Sequence, residues 1–246
     1  MTAGHQIGER EAERQARLLA AEVQATELFA EVQARGLVAP GRRDREVSDA
    51  IRDLAHDMFG VEKFWHKRIV RSGPHTMEPY GANPPDRVIE ADDVVMCDFG
   101  PIFDGWEADF GRTFVLGDDP VKHRLRDDLA TIFAAGQRHF LDHPGITGEQ
   151  LFTHVLGLIA DAGWKHAAAH AGHLIGEFPH DRIDDDKISL YITHGSDQPM
   201  RRPDSSGRAC HWILEVHIVD RQRGIGGFYE QLLDLEHASG TADQQA

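Results

Sequence analysis

Cysteine is scarce in this chain: Cys97 and Cys210 are the two among 246 residues. Two thiols cannot frame a disulfide scaffold, and a reducing cytoplasmic setting is expected. Long apolar runs are missing as well. No stretch approaches the ~20 residues that a membrane helix needs, so no membrane association is expected. The opening residues, Met1 to Gln15, carry no apolar core of the kind a secretory signal has. Basic residues are few beside acidic ones, 26 Lys and Arg against 41 Asp and Glu, for a formal net charge of −15. A surface of that sign repels phosphate backbones, which argues against nucleic acid as a partner. Most of the acids read as a solvated surface, leaving a minority for a site. Histidine is abundant, at sixteen; most should be surface or core residues and only a few ligands.

The length allows one large domain or two small ones, and no linker divides it, so a single domain over residues 1–246 is expected. Leu18, Ala21, Ala25, Leu28 and Val32 make one apolar stripe, which predicts a helix from about Glu9 to Arg35 ended by Gly36. A second helix, with Asp44 as its cap, carries Val47, Ile51, Leu54 and Met58 up to Gly60. Ser72 to Arg87 is rich in Gly and Pro and reads as a loop. Val94–Phe99 and Trp106–Leu116 are strand-like, with Asp104-Gly105 as the turn of a hairpin. The order then repeats. Leu125, Leu129, Ile132, Gly136 and Phe140 suit a helix. Thr147 with Gln150 forms a capping box before Leu151, Val155, Leu158 and Ala162. A short strand near His170 to Ile175, a polar loop from Asp181 to Arg208, and strands at His211–Val219 and Gly227–Leu235 follow. Residues 10–116 and 121–235 are thus structural half-repeats. They predict an α+β, pseudo-two-fold domain whose curved antiparallel sheet carries its helices on one face.

The acids on these strands carry the chemistry. If the turn between them has an even number of residues, Asp98 and Asp109 project from the same face of the predicted hairpin, directly or diagonally opposed. Two facing carboxylates among Val94, Val95, Phe99, Phe110 and Phe114 repel strongly. They must share a proton, bind a cation or reach solvent. Alternation along Ile213–Val219 puts Glu215 and His217 on one strand face and Leu214, Val216 and Ile218 on the other. Glu230 is similarly placed between Phe228 and Leu232, and His173 lies in the Gly-rich segment Ala171–Gly176. Each alone reads as an interior polar group with a partner. Together, four carboxylates and an imidazole match a pair of divalent ions, with Mn²⁺, Co²⁺, Fe²⁺ and Zn²⁺ all admissible. Such a pair needs bridging carboxylates and holds a hydroxide between its ions.

At these residues the chain resembles the "pita-bread" metallohydrolases, the class of methionine aminopeptidase, prolidase, aminopeptidase P and creatinase. Asp98-Phe99-Gly100 with Gly105 to Phe114 resembles the first ligand block. Gly172-His173-Leu174-Ile175-Gly176-Glu177-Phe178-Pro179-His180 resembles the histidine block. Leu214-Glu215 and Phe228-Tyr229-Glu230 resemble the two glutamate blocks. The resemblance spans about residues 15–236. It implies that Asp98 chelates one metal, that His173 and Glu215 chelate the other, and that Asp109 and Glu230 bridge them. It further implies that His180 contacts substrate and stabilises the tetrahedral centre, and that Glu215 accepts a proton from the bridging water.

There are departures. Tyr80, in Glu78-Pro79-Tyr80-Gly81, stands where many relatives have the histidine of a Pro-His-Gly loop, and nearby His75 is a candidate substitute. Asp181 replaces the usual Glu after the second histidine, and Val216 replaces a common Pro. The long amino-terminal domain of prolidases and creatinases has no counterpart in these residues.

Of the remaining residues, His217 is a candidate substrate contact or a packed histidine. Arg112 is a candidate for orienting the carboxylates, and Cys97 reads as a core residue. The loop Asp181–Arg208 is a candidate cover for the site. The expected activity is amide or peptide hydrolysis, as an aminopeptidase or Xaa-Pro peptidase of short peptides. The alternatives are a creatinase-like C–N hydrolase or lyase for a small metabolite, and a silent binding module. A homodimer is expected by base rate.

Overall fold

The computed structural model describes residues 3–179 and 187–235. Its elements are α1 (Ala3–Ala34), α2 (Asp44–Phe59), β1 (Ile69–Ser72), β2 (Val94–Phe99), β3 (Ile102–Phe103), β4 (Trp106–Glu107) and β5 (Phe110–Val115). These are followed by α3 (Pro120–Asp142), α4 (Gly148–Asp161), β6 (Lys165–His166), β7 (Leu174–Ile175), β8 (His211–Asp220) and β9 (Ile225–Leu232). No described helix is long and apolar enough to cross a membrane.

The main sheet is antiparallel and runs β1-β2-β5-β9-β8-β6, with β7 also paired to β8. The order is palindromic. Two helices, an edge strand and a strand pair build each side, and the halves meet where Gly111 of β5 pairs with Glu230 of β9. This is the α+β, pseudo-two-fold arrangement expected from the repeat of elements.

Strand alternation divides the sheet into a helix face and an open face. Val95, Cys97, Phe99 and Phe110 join Ala25, Leu28, Val47 and Ile51 in one apolar core under α1 and α2. Leu214, Val216 and Ile218 join Leu125, Leu129, Leu151 and Val155 in another under α3 and α4. Each large side chain so buried contributes roughly 1.5–3 kcal/mol. Their odd-numbered or even-numbered neighbours, Met96, Asp98, Glu215 and His217, line a cavity on the opposite face. Cys97 is fully buried on the helix side, as alternation required.

Several local expectations shift. Residue Arg43, not Asp44, is the cap of α2, and the Glu46 carboxylate accepts from the Arg43 backbone N–H at 2.9 Å. Asp44 is instead the first helical residue. Asp104-Gly105 does turn a hairpin, with φ of 49° and 86°, but it joins the small separate pair β3 and β4. The long strand expected from Trp106 is therefore broken at Ala108-Asp109. The strand expected at His170–Ile175 shrinks to Leu174–Ile175. The polar loop contains a 3-10 turn at Lys187–Leu190. The Thr147–Gln150 capping box forms as read.

Gly172 explains why a glycine precedes His173. Its φ is +136°, and a Cβ there would stand 2.0 Å from the Ile213 carbonyl oxygen. The bare backbone lets the segment lie against β8, where the Ile213 N–H donates to the His173 carbonyl at 2.9 Å. Gly172→Ala should therefore lower the unfolding free energy by at least ~2 kcal/mol, combining backbone strain and overpacking. Chemical denaturation measures this, and an unchanged midpoint would contradict the close-approach account.

Candidate metal centre

Asp98 comes from β2, and Asp109 from the break just before β5. Since Asp98 pairs with Gly111 in the β2–β5 register, the two aspartates are diagonal neighbours on the open face. Glu215 and Glu230 face each other directly across β8 and β9. His173 leads into β7. All five line one cavity of about 320 Å³, the small end of the range for small-molecule sites.

A residue not anticipated from the sequence completes the cluster. His66, in the segment between α2 and β1, places its Nε2 3.1 Å from Asp109 Oδ1 and 3.4 Å from Asp98 Oδ1. His173 Nε2 lies 3.0 Å from the other oxygen of Asp109. Two triads result, His66–Asp98–Asp109 and Asp109–His173–Glu230, each with ligand atoms within 4.8 Å of one another. They share Asp109, as a bridging carboxylate would be shared. Glu215 belongs to neither triad. Its Oε1 is 3.0 Å from His170 Nδ1, and the His170 ring lies 4.7 Å from that of Tyr191. Neither His170 nor Tyr191 was singled out in the sequence, where nothing in their spacing marks them.

The electrostatics are those of a crowded acidic interior. Burial, then repulsion from Asp109, Asp98 and Glu215, drives the Glu230 carboxyl well above its usual range. Burial also raises Asp98, with Asp109 and Glu215 adding to it against the opposing pull of His66. Burial alone would raise Asp109 too, but His66 and the hydrogen bond with His173 outweigh it and hold that carboxyl low. Burial opposes charging of both imidazoles. The aspartates nevertheless push His66 and His173 up to about 9.

Four acids stand against two imidazoles in this buried site, and without a cation their charge is offset only by protons held on Glu230, Asp98 and the two rings. The nearest arginines are engaged elsewhere. Arg71 donates to the backbone carbonyls of Glu78, Pro79, Tyr80 and Ala82 at 2.6–3.3 Å. Arg112 lies between the rings of Phe110 and Tyr229, 3.7 and 3.9 Å from their centroids. It donates to the carbonyls of Gly111 and Glu230. Arg112 thus steadies the backbone of Glu230 and does not orient the carboxylates, contrary to expectation; alternation turns it to the helix face. A donor set of carboxylate oxygens and imidazole nitrogens with surplus negative charge fits hard or borderline divalent cations.

Tyr80 also lines the cavity. The loop carrying it is held by Arg71, and Lys67 Nζ stands 4.7 Å over its ring. Burial, with Asp98 and Asp109, raises its phenol. His75 does not line the cavity; it sits in the 3-10 turn Gly73–Met77. The upstream imidazole that does enter is His66. His217 reaches the cavity but is packed, with Nε2 donating to the Thr76 carbonyl at 2.9 Å. His180 and the acidic run Asp184–Asp186 lie outside the described residues.

His217 yields a pH prediction. Burial lowers its pKa from 6.5 to about 4. Between those values the unfolded chain binds the extra proton and the folded chain does not. The native state therefore loses stability as pH falls through that window, by up to roughly 3 kcal/mol. His217→Gln, which keeps the donor to Thr76, should flatten this part of the stability–pH curve. Superimposable curves for the two proteins would contradict the assignment.

Comparison with known proteins places these features in context. The family model described as Metallopeptidase family M24 matches residues 15–203. An Xaa-Pro dipeptidase of Pyrococcus horikoshii is 29% identical over 142 residues, covering 56% of this chain and 39% of that protein. A probable dipeptidase PepE of Mycobacterium tuberculosis is 29% identical over 168 residues, 65% of this chain and 40% of its own length. The chain thus spans about two-fifths of the curated relatives it matches. The fold is similar to that of the crystal structure of the Pyrococcus horikoshii prolidase, with a TM-score of 0.66 and 23% identity. That match covers 91% of this chain and 58% of the prolidase. An X-Pro aminopeptidase structure from Thermotoga maritima gives a TM-score of 0.67 at 22% identity, covering 92% and 59%.

Proposed function

This chain belongs to metallopeptidase family M24, and from that premise we propose that it is a metal-dependent hydrolase of short peptides, with Xaa-Pro dipeptides as the leading substrate class. The convergence of Asp98, Asp109, His173 and Glu230 in one buried cluster carries the reading. The curated relatives are named as Xaa-Pro dipeptidases and dipeptidases, and the modest cavity suits a small substrate better than a long polypeptide.

In this proposal Asp98, Asp109, His173, Glu215 and Glu230 hold two divalent ions of the Mn, Co, Fe or Zn type. When bound, the ions supply Lewis acidity that acidifies water and polarises a carbonyl. The chain's own groups do the rest. Glu215, at the cavity wall and 3.0 Å from His170, takes a proton from the attacking water and returns it to the leaving nitrogen as the C–N bond breaks. His180, seven positions after His173, donates to the oxygen that gains charge. Tyr80, half-exposed at the cavity mouth, offers its hydroxyl as a hydrogen-bond donor to the substrate. His217 remains neutral near pH 7 and shapes the floor through its bond to Thr76.

A second reading is a creatinase-like C–N hydrolase acting on a small metabolite. It draws on Tyr80 standing in for the upstream histidine and on the cavity's size.

Protein stripped with a chelator and reloaded with Mn²⁺, Co²⁺ or Zn²⁺ should release the first residue from Xaa-Pro dipeptides. No release from any Xaa-Pro or Met-Xaa peptide, with turnover of small amides, selects the second reading. Less than one tightly bound ion per chain ends both. Asp109→Asn should lower kcat/KM by at least ~10²–10³-fold, as loss of a central electrostatic group does, with an unaltered circular dichroism spectrum. Tyr80→Phe should cost about 10–100-fold in kcat/KM; an unchanged value removes the phenol from the reaction.

A further inference from the structure

His66 and His173 are wired alike. His173 Nδ1 lies 2.7 Å from the carbonyl of the next residue, Leu174, and its Nε2 meets Asp109 Oδ2 at 3.0 Å. His66 Nδ1 lies 2.7 Å from the carbonyl of the next residue, Lys67, and its Nε2 meets Asp109 Oδ1 at 3.1 Å. A carbonyl accepts only from an N–H, so in each neutral ring the proton is on Nδ1. Nε2 is then held against carboxylate oxygens by positive charge, supplied by its own proton in the metal-free protein or by a metal ion in that proton's place. A backbone carbonyl holding one ring nitrogen while the other faces a cation is the arrangement that orients metal-binding histidines.

The backbone makes room for this ring. A Cβ on Gly100 would stand 2.3 Å from His66 Cδ2 and 2.3 Å from Trp65 Nε1. Trp65 in turn donates from its indole to the Ala108 carbonyl at 3.0 Å, and its backbone N–H donates to the Gly100 carbonyl at 2.9 Å. His66 is therefore held between the ends of β2 and β5, with its side chain 5% exposed.

We propose that His66 is a metal ligand. With Asp98 and Asp109 it forms a nitrogen-containing site for a divalent transition ion, on the side of Asp109 opposite His173. The inference rests on reading the cluster as a metal centre. It gives that centre an imidazole on each side of the shared carboxylate, a set that favours borderline ions such as Zn²⁺ and Co²⁺ over Mn²⁺.

The test is metal binding, not turnover. Chelator-stripped protein is titrated with Co²⁺ and followed by calorimetry and visible absorption. The wild type should take two ions. His66→Ala should bind one of them at least about tenfold more weakly, with a changed visible band, and keep the other. If His66 is merely a counterion, removing it relieves competition, and the variant binds Co²⁺ equally or more tightly; that result overturns the proposal. A wild type that binds no ion overturns it together with the proposed function, whereas two ions bound with His66→Ala unaffected overturns it alone. Should the variant not fold, histidine ¹⁵N shifts of the wild type decide the matter. On Zn²⁺ loading, movement of both the His66 and His173 Nε2 signals supports the assignment, and movement of His173 alone refutes it.

Discussion

Asp109 is gripped from both sides, one carboxylate oxygen by His66 and the other by His173. Around it lie Asp98, Glu215 and Glu230, all buried or nearly so. Concentrating that much negative charge away from water costs several kcal/mol per ion unless it is compensated. Two imidazoles can neutralise only part of it. The arrangement is unfavourable as a device for stability and intelligible as a receptacle for cations, and the surrounding structure is organised to maintain it.

The fold bears that cost by dividing labour between the two faces of one sheet. Alternate residues of β2 and β8 enter apolar cores beneath the helices, and Met96, Asp98, Glu215 and His217 between them face the cavity. The helix-side residues supply the hydrophobic stabilisation that outweighs the acids' repulsion. The palindromic strand order brings Asp98, Asp109, Glu215 and Glu230, drawn from separate halves of the chain, to the junction of β5 and β9. Gly111, where a Cβ would lie 2.5 Å from Phe228, lets the strands close at that point. Arg112, stacked between two rings on the helix side, fixes the Glu230 backbone from behind.

The cavity mouth is ordered by a different device. Arg71 donates to four backbone carbonyls between Glu78 and Ala82, so the loop's position depends on one buried guanidinium. A loop held this way presents the same phenol to each incoming ligand, which limits the entropy lost on binding. Arg71 of β1 holds the loop and Asp98 of β2 belongs to the cluster, and the two strands are paired, linking substrate access to the aspartate side of the centre.

Periodicity alone determined much of this protein. The stripe Leu18–Val32, the α3 stripe from Leu125 to Phe140 and the Thr147 box are local signals, and all reappear in the helices. Alternation likewise told which face Asp98, Glu215 and His217 would take, because side-chain direction in a strand is fixed by parity. The convergence of the acids was legible from their places on strand faces together with the resemblance of their blocks to the pita-bread metallohydrolases. His66 was not legible, since it lies in an irregular segment with no period to project its direction. Its approach to Asp109 depends on the room left at Gly100, roughly 110 Å of extended chain away at about 3.3 Å per residue. Nor did the sequence disclose that Arg112 would turn from the acids, or that His75 would miss the cavity. Local pattern decides which side of an element a residue occupies; which residues then meet across elements is decided by packing, and only the tertiary structure carries that information.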